Sequence, residues 1–177
     1  PPTLTPHQED GSYRIFILAN PPSASQNPLT FIREQSDFLK SNRVLANVSL
    51  VYKPLEELTI RLSGGIENTD ERNDVYTTRN FVSSQGNASV TTNQFTSLLS
   101  ENTISYNKTL NQKHSLAAVA GFTYQNFLAT SLRAGGTGFI SDAGQTYDLG
   151  SAATPGIPGT SYTKSAIISY LGRINYS

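Results

Sequence analysis

The chain has 177 residues with 13 basic and 13 acidic side chains, and it contains no Cys, Met or Trp. A formal net charge of zero with no run of Lys and Arg excludes an electrostatic footprint for nucleic acid, and the missing cysteines exclude both a disulfide framework and thiolate metal sites. Charged residues are 15% of the chain, below the roughly 25% of ordinary globular domains, and Ser, Thr, Asn, Gln and Gly beside Tyr and Phe predict β-structure with many turns.

Residues 1–37 are expected to form a long extracellular loop carrying the end of a preceding strand. Tyr13, Ile15, Ile17 and Ala19 alternate briefly, and then Pro21, Pro22 and Asn27-Pro28-Leu29 force irregular backbone. No stretch of the chain approaches the ~18 apolar residues of a membrane helix.

The remainder, 38–177, is predicted as a β-barrel segment with strands over about 42–53, 57–68, 94–107, 113–126 and 162–177. In the first run Val44, Ala46, Val48, Leu50 and Tyr52 share one face, opposite Arg43, Leu45, Asn47, Ser49 and Val51. Lys53-Pro54-Leu55-Glu56-Glu57 reads as a turn, because Pro interrupts a central strand. Leu58, Ile60, Leu62, Gly64 and Ile66 then alternate with Thr59, Arg61, Ser63, Gly65 and Glu67, which closes a hairpin. A long polar connection is expected from Asn68 to about Asn93. A weaker run follows, with Thr96, Leu98, Ser100, Asn102, Ile104 and Tyr106 on one face, and a short turn from Asn107 to Lys113 ends it. Leu116, Ala118, Ala120, Phe122 and Tyr124 form the next apolar face, a second long connection spans roughly Asn126 to Ser161, and Ala166, Ile168, Tyr170, Gly172, Ile174 and Tyr176 form the last.

The connections alternate short, long, short, long. In an antiparallel meander that puts short turns on one side and long loops on the other, as in transmembrane β-barrels with short periplasmic turns and longer extracellular loops. The fold class predicted is therefore all-β, an antiparallel up-and-down meander forming part of a large transmembrane barrel. The apolar faces are free of charge in their central stretches and would meet lipid, while Arg43, Arg61, Glu67, Glu101 and Arg173 on the mixed faces would look into the lumen. Tyr52, Tyr106, Tyr124 and Tyr176 are placed for an aromatic girdle at strand ends. The opening Pro1-Pro2-Thr3 without Met, and an end inside the pattern of 167–177, lead to the expectation of a segment of a longer protein.

Several stretches resemble the barrel of the SusC/RagA family of TonB-linked outer-membrane transporters. They are Asn27-Pro28-Leu29, the hairpin from Arg43 to Gly65, His114-Ser115-Leu116 leading to Gly121-Phe122-Thr123-Tyr124, and Ser169-Tyr170-Leu171-Gly172-Arg173-Ile174-Asn175-Tyr176, the most specific of the four. The resemblance implies a barrel of about 22 strands with a plugged lumen. It also implies import of glycan or peptide fragments beneath a SusD-type surface lipoprotein, with outer-membrane lipid around the wall. The TonB complex would be engaged through a plug and contact segment that this chain does not show.

No catalytic constellation stands out, so no enzyme activity and no cofactor are expected. His7 and His114 lack metal-ligand neighbours, and Ser161-Tyr162-Thr163-Lys164 opens a strand where an acylating Ser-x-x-Lys needs a helix. Ala134-Gly135-Gly136-Thr137-Gly138 fits no nucleotide-binding spacing and reads as a loop, and Arg72 among Asp70, Glu71 and Asp74 argues for a solvated loop over a calcium site. Aromatics in the long connections, Tyr76, Phe81, Phe127 and Tyr147, are the candidates for contact with substrate or partner. Two rivals remain: a soluble β-sandwich that binds carbohydrate or acts as an adhesin, burying the same faces between two sheets, and a hydrolase on a β-scaffold using Glu67 or Glu101.

Overall fold

In the computed structural model the described residues are 5–14, 16–19, 22–25, 27–110 and 114–177. A short hairpin pairs β1 (Phe16–Ala19) with β2 (Pro22–Ser25) antiparallel, and helix α1 (Pro28–Glu34) follows. Then come the long strands β3 (Gln35–Leu55), β4 (Leu58–Thr77), β5 (Asn87–Leu110) and β6 (His114–Thr137). Two single-turn 3-10 helices, a two-residue β7 (Thr154–Pro155) and β8 (Gly159–Tyr176) complete the chain. One six-stranded sheet has the order β3-β4-β5-β6-β7, and β8 also pairs with β6. It is a meander, the all-β class expected.

Helix α1 lies where irregular backbone was expected. Asn27 is its N-cap, accepting from the Leu29 amide at 3.1 Å, and Pro28 occupies the first turn where its missing N–H costs nothing. The Asn-Pro pair thus starts a helix as readily as it breaks a strand. Ile15 lies outside the described residues.

The strands run longer than the apolar pattern indicated. β3 includes Lys53 and Pro54, and the turn is reduced to Glu56-Glu57. Pro54 is the second-last residue of β3, beside the turn, where a missing N–H interrupts little of the ladder. β4 continues to Thr77 and β5 starts at Asn87, so nine residues, 78–86, form a connection expected to be far longer. Backbone pairing persists there although neither face is apolar, and period-two hydrophobicity cannot mark such a strand. β6 likewise reaches Thr137, which puts Phe127 and Gly135 in a strand and Tyr124 in its middle.

The chain divides into two compact units. The first comprises Pro1–Lys40, Arg72–Thr92 and Leu132–Gly159, and holds a small core of Tyr76, Ala88, Phe139 and Ala152 with Leu149 against it. The second comprises Ser41–Glu71, Asn93–Ser131 and Thr160–Ser177, and is built from strand alone apart from its turns.

Candidate functional site

The second unit is a single sheet whose two faces differ by parity. Even-numbered positions carry the apolar set. A shallow depression on this face gathers Leu58, Ile104, Tyr106, Ala118, Ala120 and Ile174 from four different strands, and Phe122 packs on Tyr170 with ring centroids 5.4 Å apart. Among the described residues no second layer covers this face: Val48 is 74%, Ile174 76% and Tyr170 81% exposed. From Val44 to Tyr52 the apolar run covers about 26 Å at ~3.3 Å per residue, close to the ~25 Å apolar band of a membrane barrel. On β4 the band stops after Ile66, and the same parity then carries Asn68, Asp70, Arg72 and Asp74.

Odd-numbered positions carry a mixed set, with Leu45, Val51 and Ile167 among polar side chains. Arg43 pairs with Glu67 at 2.7 Å, the Ser63 hydroxyl donates to the Glu101 carbonyl at 2.8 Å, and the Gln125 amide donates to the Ser97 hydroxyl at 3.3 Å. Phe95 and Phe127 stack at 6.3 Å with 29° between their rings. Phe95 also borders a groove of about 460 Å³ that Glu71, Asn93, Ser131 and Ser161 line. Phe95 was missed in the sequence reading because it falls on the less regular face of the weakest run.

In the first unit the two long connections are tied together. The Tyr76 hydroxyl donates to Asp142 Oδ1 at 2.7 Å, and the Arg79 amide and guanidinium donate to the same carboxylate at 3.2 and 3.3 Å. The Gly138 and Phe139 amides donate to the Gly86 and Gln85 carbonyls at 3.0 and 3.1 Å, and Phe139 meets Tyr76 edge to face at 6.0 Å. Gly86 adopts a φ of +82° and Gly138 one of +80°, left-handed turns that bring the backbones this close. Glu34 at the end of α1 accepts from the Tyr13 and Thr78 hydroxyls through its two oxygens.

The four candidate aromatics have different settings. Tyr76 is 1% exposed and ties the connections together, so its ring offers no free face. Phe81 packs edge to face on Phe31 at 5.3 Å. Phe127 sits on β6, on the odd face beside Phe95, and Tyr147 stands 86% exposed within electrostatic reach of Arg72. Arg72 forms its ion pair with Asp74 at 2.9 Å, and no metal-holding cluster is found among the described residues. His114 stacks on Tyr176 and shares a 2.6 Å hydrogen bond with its hydroxyl.

No family model matches the chain. It is 26% identical over 184 residues, 99% of its length, to TonB-dependent receptor P26 of Formosa agariphila, and 24% identical over 178 residues, again 99% of its length, to TonB-dependent receptor P3 of the same organism. The chain spans 18% and 17% of the lengths of these two curated relatives. In fold it matches the RagAB peptide importer in the 'closed-closed' state, with a TM-score of 0.84 and 21% identity over 97% of this chain and 20% of that one. These relatives are receptors and an importer, not enzymes. Along nearly its whole length this chain is similar to TonB-dependent receptors, and its single sheet has the fold of the matching part of the RagAB importer.

Proposed function

We propose that the chain is pore wall and external rim of a transporter that brings glycan or peptide oligomers through the outer membrane beneath a SusD-type surface lipoprotein. The observation that supports this best is the exposure of the even face. In a β-sandwich Val48, Leu50, Ile168 and Ile174 would be covered by a facing sheet, whereas here they are exposed, as hydrocarbon contact requires. The odd face looks into the pore, and the connections 78–86 and 138–153 lie at the outer surface with the first part of the chain. There Phe81 and Tyr147, with Phe127 on the wall, meet substrate or lipoprotein, while Tyr76 acts through the loops it anchors. The TonB complex engages parts of the receptor outside this chain.

Single cysteines at Asn47, Val48, Ser49 and Leu50 in the full-length receptor test the reading, since this segment has no cysteine of its own. In intact outer membranes Val48→Cys and Leu50→Cys should take a bilayer-soluble maleimide, and Asn47→Cys and Ser49→Cys a water-soluble one. Labelling that ignores parity rules out a membrane wall.

A further inference from the structure

The first unit also holds a groove of about 610 Å³ lined by residues from β4, β5, β6, β7 and the stretch that follows β7. Its polar lining is Thr77, Asn87, Ser89, Arg133, Thr137 and Thr154. All but Thr154 are odd-numbered, the parity that carries polar side chains in the second unit. No carboxylate lines the groove, and among the described residues Arg133 forms no ion pair. Other polar side chains of this unit are matched to one another: Tyr76 and Arg79 to Asp142, Tyr13 and Thr78 to Glu34, Arg72 to Asp74. The groove is therefore rich in donors and carries one uncompensated positive charge.

A ligand that fits must bring acceptors and negative charge. A guanidinium binds two oxygens of a carboxylate or sulfate through parallel N–H bonds, and hydroxyl and amide side chains suit a ligand bearing many hydroxyls. A peptide joining the sheet as an added strand would need free backbone groups. Here the Gly156 amide is committed to the Gly135 carbonyl at 2.8 Å, and Pro155 and Pro158 have no N–H. Recognition through side chains alone favours a sugar.

We propose that this groove is a subsite for an acidic oligosaccharide, with Arg133 taking its carboxylate or sulfate group and the surrounding hydroxyls and amide taking its ring hydroxyls. The inference rests on the reading that the odd face looks into the pore, and it narrows the substrate to an anionic one.

The test is binding to the purified full-length receptor, wild type against Arg133→Gln and Arg133→Lys. The probes are oligogalacturonate, its methyl ester, dextran sulfate fragments, dextran and hexaglutamate. Arg133 is exposed, so both variants should fold, checked by an unchanged heat-dependent gel shift. Arg133→Gln should weaken the acidic sugars about tenfold or more, Arg133→Lys should weaken them less, and the methyl ester and dextran should be indifferent to both. A carboxylate site prefers oligogalacturonate and a sulfate site dextran sulfate. The proposal is overturned if the wild type binds neither acidic sugar, if Arg133→Gln binds them unchanged, or if hexaglutamate shows the larger dependence on Arg133. Parity labelling at 47–50 separates the two failures: alternation with an indifferent Arg133 removes only this subsite, whereas labelling without alternation removes the pore itself.

Discussion

Tyr76 and Asp142 lie 66 positions apart in the sequence, yet the tyrosine hydroxyl donates to the aspartate at 2.7 Å and fastens the 138–153 connection to the end of β4. Asp142→Ala leaves the buried Tyr76 hydroxyl without its acceptor and removes both Arg79 contacts. The loss should cost about 1–3 kcal/mol locally. In the full-length receptor it should open the 138–153 connection to protease while the barrel's melting temperature stays unchanged. Equal protease resistance in the variant and the wild type would show that the clasp does not hold the loop.

The same carboxylate sets a pH dependence. Burial pushes Asp142 up, but hydrogen bonds from Tyr76 and from the Arg79 amide and guanidinium, with the Arg79 charge, outweigh it and hold the group below its ordinary value. A carboxylate lowered on folding contributes stability that is complete above the ordinary value and is lost as pH falls through the lowered one. Loop protection measured by hydrogen exchange should therefore stay level from about pH 8 to 5 and decline only below about pH 4. Asp142→Asn should remove that acid step.

On the even face, Val48 lies at the middle of the apolar run. Val48→Arg should destabilise the receptor refolded in lipid vesicles by about 2–4 kcal/mol, read from urea titration. Ser49→Arg, one residue along and pointing to the other side, should stay within about 1 kcal/mol of wild type.

Gly135 tests close backbone approach. A Cβ there would lie 2.5 Å from the Ala88 carbonyl oxygen, a backbone atom that cannot move aside without disturbing β5. Gly135→Val should cost about 1–3 kcal/mol and lower the temperature of the heat-dependent gel shift. Gly159→Val, with nothing within 4 Å, should leave it in place.

By contrast, the 2.7 Å pair of Arg43 and Glu67 joins side chains that are 63% and 29% exposed. Glu67→Gln should change stability by less than about 1 kcal/mol, because screening by water discounts an exposed pair.

The uncharged face of the sheet was readable in advance. Val44 to Tyr52 and Ala166 to Tyr176 keep one side of each strand free of charge, and that period of two marks a strand. Beyond Ile66 both sides of β4 carry mostly polar residues, so polarity stops reporting on the backbone and the strand runs on unannounced to Thr77. Pro54 misled because a proline beside a turn can still belong to the last residues of a strand, and Asn27-Pro28 because the same pair caps helices and breaks strands. Tyr76 could not be recognised as a buried anchor, since Asp142 and Phe139 come from a connection with no periodicity. The Arg133 groove was equally hidden, because it exists only once four separated stretches lie side by side.

The strict parity of the sheet also limits how such a chain can change its length. Adding or losing one residue between Val44 and Tyr52 would send every following side chain of that strand to the wrong solvent, whereas the same event in 78–86 or 138–153 would alter only a loop. Length variation among natural variants should therefore collect in those two stretches, and within the apolar runs it should come in steps of two.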